Sequence, residues 1–186
     1  ARNELEKEMS LSSPNHCSEC EVVFEDLFKE NVAQAIARKT TPTPQVGDSL
    51  KFGAKVNEYF GLTELTDIVS HVKLNSHIVV IPTPIEVGDL GTRCPENSDE
   101  GEQYEGMLVK LTDVEIDSVK QFVTAINWFI IEDSDTVIID NYFYSEENWP
   151  DITKGHQFSS ITGVVSYSFG KYSILPRYYL DFSDTN

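Results

Sequence analysis

Cys17 and Cys20 frame a C-x-x-C pair, Cys17-Ser18-Glu19-Cys20, a spacing that serves redox chemistry, metal binding or a small structural disulfide. Haem attachment needs a histidine directly after the second cysteine, but Glu21 follows and His16 precedes the pair. His16, Cys17, Cys20 and Cys94 make up a four-ligand zinc set, but no second C-x-x-C accompanies them. A disulfide drawn from Cys17, Cys20 and Cys94 is therefore the preferred reading. Glu132, Asp133 and Asp135 share one turn, with Asp140 beyond, and offer oxygen ligands to Ca²⁺. Asp99, Glu100, Glu102 and Glu105 form a second acidic group. Neither group has the glycine and distal bidentate glutamate of a calcium loop, and solvated turns explain both equally well. Tyr142, Tyr144, Trp149, Tyr167, Phe169, Tyr172, Tyr178 and Tyr179 crowd one region, with Lys154, His156, Lys171 and Arg177 nearby. Tyr142, Tyr144, Trp149, Tyr167, Tyr172 and Arg177 are the candidate ligand-binding residues, since aromatic faces stack on bases or sugars. The competing role for these aromatics is to fill a small β-barrel. The four histidines, His16, His71, His77 and His156, stand near no nucleophile motif. No G-x-S-x-G, H-E-x-x-H or phosphate-cradling glycine loop occurs. No enzyme is expected, and no cofactor beyond the calcium alternative.

Composition narrows the classes further. The 186 residues carry 14 Lys+Arg against 31 Asp+Glu, a formal charge of −17. Proteins that neutralise phosphates carry a basic surplus, so general nucleic-acid binding is disfavoured. Residues 104–186 hold five basic and thirteen acidic residues, so they form no basic island. Apolar residues at 40% suffice for a core, and no apolar run reaches the ~18–20 residues of a membrane span. High acidity with few cysteines suits a secreted protein, extracellular or at the cell surface. Residues 1–13 are polar and charged, so the secreted reading implies a targeting segment already removed.

The elements that must position these residues are mostly strands. Residues 1–20 read as a polar arm, and 21–25 as a strand. Leu27, Phe28, Val32, Ala35 and Ile36 fall at helical spacings, so a helix is expected over 26–39, ended by Pro42 and Pro44. Leu50, Phe52, Ala54 and Val56 alternate, which predicts a hairpin turning at Phe60-Gly61, with 69–81 continuing as extended chain. The glycines and prolines of 82–103 read as a linker. Further strands are expected near 107–116, 128–132, 136–144, 158–167 and 172–177.

An internal repeat runs through this pattern. Val56, Phe60, Gly61 and Leu65 fall on Val165, Phe169, Gly170 and Ile174, and a one-residue offset sets Gly47 against Gly155. Residues 22–28 also resemble 137–143. Five strands in two hairpin-rich groups, with a helix after the third, are the ground plan of an OB-fold barrel. The expected fold is thus mostly β: tandem OB-fold-like barrels, the N-terminal one incomplete and carrying one short helix. The divisions are an arm at 1–20, a partial unit at 21–81, a linker at 82–103 and a full barrel at 104–186. In this scheme 21–25 is the third strand of the first copy, whose first two strands are missing.

Tyr104-Glu105-Gly106-Met107-Leu108-Val109, the hairpin over 128–144 and the stretch 161–170 with Leu175-Pro176-Arg177 resemble the OB-fold modules of secreted bacterial proteins. Such modules stand in tandem beside extracellular nuclease domains or in surface lipoproteins. The resemblance covers 104–182 and, less fully, 46–68. It implies an accessory module for oligonucleotide or glycan, and it brings no catalytic residue, because fold does not carry function.

A barrel short of two strands leaves unpaired edges that something must cover. Ile78, Val79, Val80 and Ile81 form the strand expected to pair there, within the chain or across chains. The leading expectation is therefore a secreted, non-enzymatic protein that self-assembles as a homo-oligomer or filament, or that serves as a structural part of an extracellular or surface structure.

Overall fold

The computed structural model describes residues 17–23, 45–90, 99–123, 125–133, 135–144 and 148–184. The chain divides into two compact units, Ala1–Ile81 and Pro82–Asn186. Both are built of strands, and no helix of seven or more residues occurs among the described residues. The helix expected over 26–39 lies outside them.

In the first unit, β1 (Cys17–Val23), β2 (Ser49–Tyr59) and β3 (Leu62–Asn75) pair antiparallel in the order β1-β2-β3. The strand expected from residue 21 starts earlier, so Cys17 and Cys20 belong to the sheet and not to an arm. Phe60 and Gly61 turn the β2–β3 hairpin with φ of 50° and 87°. Two positive φ values make the tight turn whose twist matches that of the strands. A register shift between Gly53 and Lys55, opposite Asp67 at φ 51°, marks a bulge in the same hairpin. β3 stops at Asn75, short of the expected extension to 81. His77 takes φ 61°, and the Ile78 N–H donates to the Gly47 carbonyl at 2.9 Å. That bond draws the chain across the entry to β2. Gly47 is required there, because a Cβ would sit 3.1 Å from the Ile78 carbonyl oxygen and its φ is 83°.

The second unit holds one mixed sheet in the order β4-β5-β9-β10-β8-β7-β6. Its strands are β4 (Thr83–Pro84), β5 (Leu108–Glu115), β6 (Ser118–Gln121), β7 (Ile126–Glu132), β8 (Asp135–Asp140), β9 (Gln157–Ser168) and β10 (Lys171–Leu175). A short β11 (Phe182–Asp184) adds to β9. β10 runs parallel to β8 and antiparallel to β9. β5, second in this order, and β6, at its far end, are adjacent in sequence. Ile116 donates its N–H to His156 beside β9, while Asp117 donates to Phe129 of β7.

Hydrophobic burial sets this arrangement. Trp128 and Ile130 of β7, Val137 and Ile139 of β8, Ile161 and Val165 of β9, and Ile174 of β10 are fully buried together. β10 is buried on both faces from Tyr172 to Leu175, as a central strand requires. The expected linker is a correction: much of it packs into this unit. Thr83–Pro84 pairs parallel with β5, and Ile85, Val87 and Leu90 enter the core. Glycines and prolines signal irregular backbone, but the apolar side chains between them still gain from burial.

The repeat is visible in the strand pairing. β2 and β3 match Val56 to Leu65 and Tyr59 to Leu62. β9 and β10 match Val165 to Ile174 and Ser168 to Lys171, the same register in the second copy. Phe169 and Gly170 repeat the turn with φ of 50° and 78°. The expected match of 22–28 to 137–143 does not hold. β1 lies antiparallel on β2, with Val22 opposite Leu50, as β5 lies on β9, with Val114 opposite Phe158. β8, by contrast, runs parallel to β10. β1 is therefore the counterpart of β5, a first strand and not a third one. A short apolar run does not encode strand direction, which the neighbouring ladder decides.

Phe169 occupies the left-handed region while its ring is fully exposed, so nothing in the packing rewards its strain. Phe169→Asn is expected to stabilise the protein by about 1 kcal/mol, because asparagine enters that region readily. Gly163 has the opposite sensitivity, since a Cβ there would stand 2.6 Å from Ile174 Cγ2 and 2.7 Å from the Leu175 backbone. Gly163→Ala is expected to destabilise by about 1–3 kcal/mol through overpacking. Thermal unfolding followed by circular dichroism checks both.

Candidate functional site

The outer edge of β3 is the least satisfied feature of the first unit. β3 is 14 residues long and pairs with β2 on one side. No strand lies on its other side among the described residues. In the second unit the corresponding side of β10 is covered by β8, which pairs Ser173 with Ile138 and Ile174 with Ile139. Through the repeat, Ser173 and Ile174 correspond to Glu64 and Leu65. In a two-residue hairpin the pair flanking the turn exchanges both hydrogen bonds, and pairs then alternate along the ladder. Counting from Tyr59–Leu62, the Leu65 N–H and C=O point away from β2, toward the open side. Farther along the strand Val72 and Leu74 are exposed.

Ile78, Val79, Val80 and Ile81 are not a strand, which corrects the expected extended continuation. The left-handed His77 and the bond from Ile78 to Gly47 take the chain out of the sheet. Val79 and Ile81 are 84% and 83% exposed, and Ile78 and Val80 are half-buried.

The aromatic candidates do not share one face. Trp149 and Tyr172 are each 5% exposed and belong to the core. Trp149 packs 4.3 Å from Trp128 and 5.1 Å from Tyr144, and Tyr172 lies 4.8 Å from Tyr167. The Tyr172 hydroxyl donates to Glu102 Oε2 at 2.9 Å. Tyr144 and Tyr167 are half-buried against the same core, and only Tyr142 stands well clear of it. The Tyr144 hydroxyl and the Trp149 indole N–H are buried without a hydrogen-bond partner among the described residues. Burial, then the nearby Asp181 charge, pushes the Tyr144 hydroxyl well above the ordinary tyrosine range. Arg177 is turned inward: its backbone N, Nε and Nη2 all donate to Asp181, at 2.8, 3.1 and 3.0 Å. Its guanidinium also lies 4.7 Å over the Tyr178 ring. An arginine so engaged locks the 177–181 turn and presents no fork to a phosphate.

Of the calcium candidates, Glu132 and Asp133 are exposed at the β7–β8 turn and Asp135 is half-buried as it opens β8. No group of three His, Cys, Asp or Glu side chains able to hold a metal occurs among the described residues. Cys17 and Cys20 lie on β1, whereas His16 and Cys94 lie outside the described residues. No helix among the described residues is long and apolar enough to cross a membrane.

One feature carried no sequence signal. Asp48, just before β2, has a side chain only 4% exposed and lies 2.8 Å from Lys73 Nζ of β3. It also accepts from the Gln45 N–H at 2.9 Å. The Lys73 hydrogen bond, helped by that from Gln45, holds the Asp48 carboxyl below the usual carboxylate range. These residues are 25 apart, and neither has a spacing that marks a pair.

Neither the protein-family models nor the curated proteins compared with the chain give a match.

Asp48 supplies a test of the β2–β3 pairing that presents the edge. A lowered native value stabilises the fold fully above the ordinary carboxylate range, and that contribution is lost as pH falls through the lowered value. Asp48→Asn is expected to weaken the first unit near neutral pH and to flatten its response to acid. Hydrogen exchange of β2 and β3 amides between about pH 6 and about pH 3 reads both effects.

Proposed function

We propose that this is a secreted, non-enzymatic protein of tandem OB-fold-like units that self-associates through a strand edge to build an extracellular or surface structure. The carrying observation is the contrast between copies: β8 covers β10, while no strand covers β3 among the described residues. Exposed ladders template pairing, so the edge of a 14-residue strand that no described strand covers invites another strand.

The barrel reading of the second unit draws support from its connections. Counting β5 and β6 as one bent first strand gives the five-strand order 1-2-3-5-4-1, with the parallel 3–5 pair of an OB fold. Adjacent Ile116 and Asp117 bonding to opposite ends of that order favour closure. β5, residues 116–117 and β6 then take the place of one continuous strand. The first unit holds the counterparts of strands 1, 4 and 5.

The formal charge of −17 serves solubility between contacts. A module for oligonucleotide or glycan finds less support, since Trp149 and Tyr172 are packed inside and Arg177 is spent on Asp181.

Sedimentation velocity over rising protein concentration, with electron microscopy of the same samples, tests the proposal. The protein is expected to grow beyond a monomer as concentration rises. Leu65→Pro removes an N–H that faces the edge without taking a bond from β2, and it is expected to reduce association at least tenfold while circular dichroism is unchanged. A monomer at every concentration overturns self-assembly, and tight binding of single-stranded DNA by that monomer would favour the module.

A further inference from the structure

Resting on the edge reading above, we propose that the strand covering β3 is Ile78–Ile81 of a second copy of this chain, joined head to tail.

The second unit specifies the chemistry of the missing neighbour. On β10 that place is filled by Val137, Ile138 and Ile139, a run of β-branched residues in an extended strand. Ile78-Val79-Val80-Ile81 is the one run of four β-branched residues outside a sheet among the described residues. Such side chains are stiff at χ1 and pack best on a pleated surface, so leaving them in irregular chain forgoes that gain. Val79 and Ile81 remain more than four-fifths exposed.

The segment is poorly placed to cover its own β3. Only Ser76 and His77 separate it from the end of that strand, and the bond from Ile78 to Gly47 leads it over the β2 side. Reaching the outer edge would mean breaking this bond and reversing course. A second copy meets no such obstacle.

Pro82 closes the donor segment, because it lacks an N–H to extend the ladder. Four residues bury well under the ~1,200 Å² of a stable interface, so each junction is weak and association depends on concentration. Donor and acceptor are different surfaces of the chain, which makes the contact heterologous. Repetition then gives an open row of copies unless the rotation happens to close a ring.

The test uses the full chain and two variants whose lesions lie on opposite sides of the junction. Val79→Lys/Ile81→Lys spoils the donor at exposed positions, and Leu65→Pro spoils the acceptor. Each alone is expected to sediment as a monomer where the unmodified chain associates. Their equimolar mixture is expected to form pairs and nothing larger, since one good donor and one good acceptor remain. A synthetic peptide of residues 76–83, in excess, is expected to dissolve assemblies of the unmodified chain, and a scrambled peptide is not. Undiminished association of the donor variant overturns the donor assignment and leaves the edge reading standing. A mixture that stays monomeric, with each variant alone also monomeric, overturns the head-to-tail pairing of Ile78–Ile81 with β3. An unmodified chain that never associates removes both proposals.

Discussion

Every backbone N–H and C=O has to be paired with something, and a strand offers half of its groups to each side. This requirement organises both units. In the second, strands β5, β9, β10, β8 and β7 each have a neighbour on both sides, and adjacent residues after β5 bond toward β9 and β7. In the first, β2 is satisfied on both sides by β1 and β3, but β3 is satisfied on one side only among the described residues. Two copies of one hairpin thus solve the same hydrogen-bonding problem to different degrees. The difference between them, more than any side-chain cluster, is where a function can reside.

Aromatic packing explains why the crowded second unit presents no obvious ligand face. Trp128 sits among Trp149, Phe158 and Phe182, with ring centroids between 4.3 and 5.7 Å away. Burying rings of this size is worth several kcal/mol in total, which favours their place inside the sheet's core over exposure on a ligand face. Trp149 therefore arrives from the loop after β8 to fill the core, even though its indole N–H finds no partner among the described residues. The exposed aromatics that remain among the described residues of this unit, Phe122, Tyr142, Phe169, Tyr178 and Tyr179, are spread over four segments.

What the sequence made legible follows from the range over which each signal acts. The Phe-Gly turns were readable because two adjacent residues set the turn, and alternation on either side sets the register. The repeat was readable because it preserved those same turns. The place of β1 was not, since Val22-Val23 and Val137-Ile138 look alike while the ladders beside them run in opposite senses. The packing of Ile85, Val87 and Leu90 was hidden by the prolines and glycines around them, which mark irregular backbone and say nothing about burial. Asp48 with Lys73 is a pair made by tertiary folding, which no local period singles out. Arg177 and Asp181 stand at the i,i+4 spacing, but no amphipathic helical pattern surrounds them to mark it. The end of β3 is hidden for a similar reason, because His77 in a left-handed conformation is not foreshadowed by its β-branched neighbours.

Acidity and an open edge are compatible because they act over different distances. At physiological salt, repulsion between like-charged copies decays over about 8 Å, so it opposes broad face-to-face contact most strongly. Strand addition needs only a narrow strip of backbone and a few aliphatic side chains. Ile78 to Ile81 carry no charge, and the positions near Leu65 include Thr63 and Thr66 beside the acidic Glu64 and Asp67. A charge of −17 therefore opposes sideways collapse on neighbouring copies more than it opposes a narrow junction whose donor segment is uncharged. Added salt lowers the general repulsion more than it alters the hydrogen bonds of such a junction. The self-association proposed above is accordingly expected to strengthen with ionic strength, opposite to the trend for a contact held by ion pairs.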